Sequence, residues 1–165
     1  MLFRVTRKLA KKLKLEPIAA LPPADNPLLD WTANLFMVGR QQYIIVTNST
    51  TLYTVLIPGR GNANGEAFAK NALTEIRAML ENDELSPLGK SLPADPSENL
   101  VFCRASDRHV LGSMNDFVFI TAVTASYSEL MVEDSSEQHN QAPMKMIGYR
   151  YPIDLMRKLL STSAP

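Results

Sequence analysis

Three short apolar runs follow one another with almost no chain between them: "NLFMV" at 34–38, "YIIVT" at 43–47 and "TLYTVLI" at 51–57. Only Gly39-Arg40-Gln41-Gln42 and Asn48-Ser49-Thr50 separate them. Linkers of that length suffice to reverse a strand but not to carry the chain across a sheet, so an antiparallel meander is expected over 34–57. The second and third runs carry β-branched or aromatic residues at both odd and even positions. Strands of that kind have no face to give to water, so they belong in the middle of the sheet with cover on each side.

The cover has to come from helices, and the clearest lies at 66–80, where Phe68, Ala72, Leu73, Ile76, Met79 and Leu80 recur at helical spacing. A second is expected over 113–131, within and beyond the stretch "HVLGSMNDFVFITAV" at 109–123. Ser113 and Asp116 have the spacing of a capping box, with Asp116 in place of the usual Glu or Gln, and Met114, Phe117, Ile120, Val123, Tyr127 and Leu130 continue the apolar side. A third, over 152–160, starts at Pro152 and buries Ile153, Met156, Leu159 and Leu160. Asp154 near its start and Arg157 and Lys158 near its end suit the helix dipole.

"LFRV" at 2–5 reads as a short strand, after which Thr6 caps a helix through residue 14 that buries Leu9, Ala10 and Leu13. Pro17, Pro22, Pro23 and Pro27 make the next segment an extended covering arm rather than a linker. Residues 83–98 read as a loop, "LVFCR" at 100–104 as another strand, and 133–142 as a polar, mobile stretch. "MKMIGYRY" is left open between strand and irregular chain. The sum is a one-domain α+β fold spanning 1–165: an antiparallel sheet from 34–57 and 100–104, helices packed on it, and the first and last helices closing its edges.

With 45% hydrophobic residues the chain has enough apolar side chain for a core without disulfides. Seventeen basic residues balance seventeen acidic ones, so the molecule as a whole lacks the excess that holds nucleic acid. Arg4, Arg7, Lys8, Lys11, Lys12 and Lys14 nevertheless crowd one end. Of these, Arg7, Lys8, Lys11 and Lys12 are the residues through which a nucleic-acid or anionic contact would run, against the simpler reading of a solvated helix face. A single cysteine, Cys103, fits a reducing compartment and a small buried residue. Lysines interrupt any signal-peptide core, and the longest apolar stretches are strand-length, so a cytoplasmic location without membrane contact is expected.

Sites are sparse. Arg108 and His109 beside a helix start suggest a corner that binds an anion, although Asp116 competes for the same positive end. Gly59, Gly61 and Gly65 lie between a strand and a helix, but their G-x-G-x-x-x-G spacing is not that of a dinucleotide loop. His109 and His139 are the only histidines and do not make a metal site without carboxylates from elsewhere. No cofactor or metal is expected.

The blocks "MLFRVTRKLAKKL", "DWTANLF", "RQQYIIVTNSTTLYTVLIPG", "DRHVLGSMND" and "APMKMIGYRYP" occur in order and resemble an uncharacterised bacterial family described as a domain of unknown function. That resemblance implies a single bacterial cytoplasmic domain and carries no activity. The expectation is therefore a non-enzymatic binding or interaction module, with a protein or small anionic ligand as partner and self-association as a further reading. The alternative is a small hydrolase or transferase acting on an anion. Its pocket would combine Arg108 holding the anion, His109 as acid or base, Ser113 and Asn115 orienting substrate, and Asp116, with Asn48 and Trp31 nearby.

Overall fold

The computed structural model describes residues 1–97, 99–127 and 131–162. Five strands form one sheet: β1 (Leu2–Val5), β2 (Asp30–Val38), β3 (Gln41–Asn48), β4 (Thr54–Pro58) and β5 (Val101–Arg104). Their order across it is β4-β3-β2-β1-β5. Six helices are described: α1 (Arg7–Leu13), α2 (Gly65–Asn82), α3 (Ser86–Ser91), α4 (Arg108–Tyr127), α5 (Ser135–Asn140) and α6 (Pro152–Thr162). The class is α+β, as expected.

The meander forms where the short linkers required it, with Trp31 opposite Asn48 and Tyr43 opposite Pro58 in antiparallel register. The sheet as a whole is mixed, which corrects the antiparallel expectation. β1 lies parallel to β2 on one side and to β5 on the other. The reason is that α1 and the arm return the chain to the same end of the sheet before β2 begins, and α2 with α3 do so before β5.

Strand alternation divides the core in two. Phe3, Val5, Trp31, Ala33, Leu35, Ile44, Val46, Val55 and Ile57 point to one face and pack under α1, α2 and Met156 of α6. Phe36, Tyr43, Ile45 and Leu56 point to the other and pack under Val110, Met114 and Phe117 of α4. β3 is thus covered on both sides, as its two-sided apolar pattern demanded. α1 is not an edge cap but part of the first layer, with Leu9, Ala10 and Leu13 buried.

Other segments close the two edges. Along β5 the proline-rich arm adds Ile18, whose amide donates to the Phe102 carbonyl at 3.2 Å while its own carbonyl accepts from Arg104 at 3.0 Å. Along β4 the work falls to α5, in the stretch expected to be mobile: Asn140 Oδ1 accepts from the Thr54 amide at 2.7 Å, its Nδ2 donates to the Thr54 carbonyl at 2.9 Å, and Ser136 Oγ accepts from the Leu56 amide at 2.9 Å. Side chains therefore satisfy backbone groups that an open strand would present to another chain.

The arm is held down by a buried ion pair. Arg4 donates from Nε to Asp30 Oδ1 at 2.7 Å and from Nη2 to Oδ2 at 2.8 Å, and gives its remaining donors to the carbonyls of Leu21 and Pro22 and to Cys103 Sγ. Asp30 also accepts from the Ala24 amide and from Ser49 Oγ, each at 2.9 Å. Burial alone raises the Asp30 pKa, but the hydrogen bonds from Arg4, Ala24 and Ser49 outweigh it and hold the carboxyl below its ordinary value. Arg4 is 6% exposed and so leaves the basic surface to which its sequence position assigned it.

The glycines between β4 and α2 have packing roles. A Cβ on Gly59 would stand 2.7 Å from that of Gln42, and one on Gly65 would stand 2.8 Å from Leu15 Cδ2. The loop is fitted to protein neighbours rather than shaped as a phosphate cradle. α3 and α5 lie within segments expected to be loop, and each is only six residues long, too short for periodicity to reveal.

Candidate functional site

α4 opens five residues earlier than its sequence suggested. Asp107, not Ser113, supplies the cap: its carboxylate accepts from the His109 amide at 2.8 Å and the Val110 amide at 3.2 Å. An acceptor at 107 followed by Val110 and Leu111 starts the helix a turn and a half before Ser113, which then falls in its interior. The Ser113 hydroxyl instead contacts Met146 Sδ at 3.6 Å. The distal part of the expected helix, 128–130 with Leu130, lies outside the described residues.

Val110, Ser113, Met114, Phe117 and Thr121 form the buried face of α4. Ile120, Val123 and Tyr127, expected on that face, are not on it. At 3.6 residues per turn, Phe119, Ile120, Val123 and Tyr127 fall on the opposite side with Gly112 and Asp116. They are 70%, 50%, 43% and 88% exposed. The buried side needs only one residue in three or four; Leu111, Val118 and Ala125 pack partly against the same core cluster, whereas Phe119, Ile120, Val123 and Tyr127 belong to neither core cluster among the described residues. α2, covering the other face of the same sheet, shows what an ordinary outer surface looks like here: Lys70, Asn71, Thr74, Glu75 and Glu81 are exposed.

Below α4 runs a seam of buried polar groups. Thr121 Oγ1 and His139 Nε2 are 2.8 Å apart, and the His139 ring lies 4.4 Å from that of Phe117. Thr47 Oγ1 meets Thr54 Oγ1 at 2.9 Å, next to the bonds from Asn140 to Thr54. Burial pushes the His139 pKa down to about 4, so the ring is neutral at neutral pH. This seam fixes α5 between α4 and β4.

The residues grouped as a pocket do not converge into one. Arg108, His109, Asn115 and Asp116 are exposed on α4, and no side-chain hydrogen bond among the described residues joins any of them to another or to Ser113. Trp31 is fully buried on the opposite face of the sheet, donating from Nε1 to the Leu28 carbonyl at 2.7 Å. Asn48 is fully buried and spends its side chain on Pro27, Asp30 and Thr51, closing the turn before β4. Five cavities characterised among the described residues take none of their lining from these seven positions. Cys103 is wholly buried beside Arg4, and His109 stands apart on the surface.

The remaining titratable groups are structural or dispersed. The Tyr53 hydroxyl donates to Asp83 Oδ2, and burial raises the pKa of both groups. A cavity of about 550 Å³ beside them is lined by Glu75, Glu133, Asp134 and Glu137, among others. No group of three or more His, Cys, Asp or Glu side chains that could hold a metal occurs among the described residues. Nor is any described helix long and apolar enough to cross a membrane. On the basic helix, Arg7, Lys8 and Lys11 are exposed, while Lys12 donates to Gln42 Oε1 at 3.0 Å.

The outer face of α4 was the feature hardest to see. Its signal in the sequence was surplus: helix 108–127 is apolar nearly all round, whereas one packed against a single sheet needs to be so on one side only.

Residues 2–155 match the model of the family described as "Domain of unknown function (DUF6933)". No curated protein matches the chain. With nearly its whole length matched, the chain belongs to that family.

Proposed function

We propose that this member of the family acts as a protein-interaction module whose contact surface is the outer face of α4. The observation that carries this reading is the stripe of Phe119, Ile120, Val123 and Tyr127, each between 43% and 88% exposed on a helix of 20 residues. Their exposed area is on the order of 500 Å², toward the upper end of the largest apolar patch that a typical monomer leaves in water. Burying it would contribute roughly 12 kcal/mol before the costs of association, enough to drive specific binding when a polar rim completes the contact.

The stripe is mounted on a rigid base. Val110, Met114 and Phe117 anchor α4 to the sheet, and Thr121 ties it to His139. A partner would therefore meet a preformed surface and lose little to ordering it. Single exposed apolar residues are ordinary on protein surfaces, but four on one helix face, where α2 on the other side of the sheet is polar, are not.

The test is photo-crosslinking in living cells with a benzophenone amino acid at Val123. The expected result is one discrete adduct, identified by mass spectrometry, with no counterpart when the same group replaces Glu75 on the polar outer face of α2. A diffuse smear, or equal products from both positions, would refute the docking role.

A further inference from the structure

Tyr149 stands where the backbone would be better served by glycine. It follows Gly148 as a second consecutive left-handed residue, with φ of 58° after 68°, a conformation that is an outlier for a bulky side chain. Backbone hydrogen bonds impose it: the Tyr149 amide donates to the Met144 carbonyl at 2.8 Å, and the Met144 amide donates to the Arg150 carbonyl at 3.0 Å. Nothing in the core offsets the strain. The ring is 68% exposed, and among the described residues it stacks on no other ring and its hydroxyl makes no hydrogen bond. Two residues on, Tyr151 is 43% exposed and equally without a ring partner there.

Both rings line one cavity. It has a volume of about 540 Å³, and Arg150, Asp154, Arg157 and Lys158 line it with them, so that residues 149–151 form one wall and α6 the other. That size suits a small ligand. The chain as a whole is neutral, yet between 141 and 165 Lys145, Arg150, Arg157 and Lys158 stand against Asp154 alone. The two arginines are each held by one edge: Arg150 Nε donates to the Ile147 carbonyl at 2.8 Å, and Arg157 Nη1 donates to Asp154 Oδ1 at 2.9 Å. Both Nη groups of Arg150, and Nε and Nη2 of Arg157, have no hydrogen-bond partner among the described residues. A guanidinium fixed at one edge offers the rest of its fork to an oxyanion. Asp154 Oδ2 likewise remains an acceptor.

We infer that this cavity binds a free nucleotide, its base against Tyr149 and Tyr151, its sugar hydroxyls on Asp154 and its phosphates on Arg150 and Arg157. The three kinds of lining group are what selects the ligand. Aromatic faces stack on a base, a carboxylate accepts from hydroxyls, and guanidinium groups hold phosphate. Inorganic phosphate would use only the last, and an uncharged aromatic compound only the first. A nucleic-acid strand fits less well, because a molecule of zero net charge has little to hold its further phosphates. No residue of α4 lines the cavity, so the nucleotide site and the docking face stand independently of each other.

The test is an NMR titration of the nitrogen-labelled full chain with adenosine diphosphate. Saturable shifts centred on residues 148–158 are expected, with a Kd on the order of 0.1 mM. Adenosine alone and inorganic phosphate alone should each bind about tenfold or more weakly, since each engages part of the site. Tyr149→Gly should weaken adenosine diphosphate by about tenfold while leaving the thermal midpoint unchanged or raised, because glycine accepts a positive φ without strain. Arg157→Gln should weaken adenosine diphosphate and leave adenosine unaffected. Absence of saturable shifts up to about 5 mM overturns the proposal, as do shifts centred elsewhere or phosphate alone binding as tightly as the nucleotide. A lowered midpoint in Tyr149→Gly would make the ring structural and overturn its assignment. A single strand of about ten nucleotides binding far more tightly than adenosine diphosphate would overturn the free nucleotide as occupant.

Discussion

Acidification should expose His139 as a latent weakness of the fold. The ring is 3% exposed, pressed against Phe117 and bonded to Thr121, and burial lowers its pKa from an ordinary 6.5 to about 4. Because the folded value is depressed, the unfolded chain binds the proton first as pH falls. The contribution of His139 is therefore complete above pH 6.5 and is lost progressively down to about pH 4. Linkage over that interval gives a loss of about 1.4 kcal/mol at pH 5.5 and about 2.5 kcal/mol at pH 4.5. Asp30, held below its ordinary value, and Asp83, raised above it, add pH dependence of opposite sign, so the wild-type profile alone does not isolate the histidine. A His139→Gln chain does, since glutamine offers Thr121 a hydrogen-bonding group without titrating. Urea unfolding of both chains at pH 7 and pH 4.5 should show the wild type losing about 2.5 kcal/mol more than the variant. Parallel pH profiles would refute the view that His139 is buried and neutral, as would an NMR titration of its ring with a midpoint near 6.5.

Removing one partner of the Arg4–Asp30 pair should be severe: Arg4→Met leaves a buried carboxylate unpaired and is expected to cost about 3–5 kcal/mol in chemical denaturation, with new proteolytic cleavage in the arm near Leu21 and Pro22. Replacing both, as Arg4→Met with Asp30→Leu, should recover much of that loss. Asn140→Ala deletes both bonds to Thr54 and is expected to cost about 2 kcal/mol and to raise light scattering on storage, because it reopens the β4 backbone to other chains.

The elements legible from the sequence were those whose signal is local. The meander followed from linker length, α2 from an unbroken 3.6-residue period, and the arm from its prolines. Parallel pairing of β1 with β2 and β5 was not legible, since nothing in "LFRV" or "LVFCR" marks strand direction and the partners lie dozens of residues away. Arg4 read as surface charge because it follows Phe3 and precedes Val5 in a strand whose other face turned out to be filled by Asp30 and the arm. The 133–142 stretch read as mobile because its polar residues satisfy β4 and α4 rather than water, and polarity alone does not distinguish those fates. In α4, Asp107 outranked Ser113 as cap because it comes first in the chain and nothing between them interrupts the helix. The suspected pocket dissolved with that shift, since Arg108 and His109 became part of α4 and lie exposed on it, as Asn115 and Asp116 do.

The two ways in which the sheet ends also limit how copies can join. Ile18 on one margin and Asn140 with Ser136 on the other occupy the hydrogen-bonding positions by which a β-protein recruits further strands. Head-to-tail growth into ribbons is thereby obstructed at both margins, and contact through helix surfaces, which is self-limiting when it obeys a two-fold axis, is the route left open.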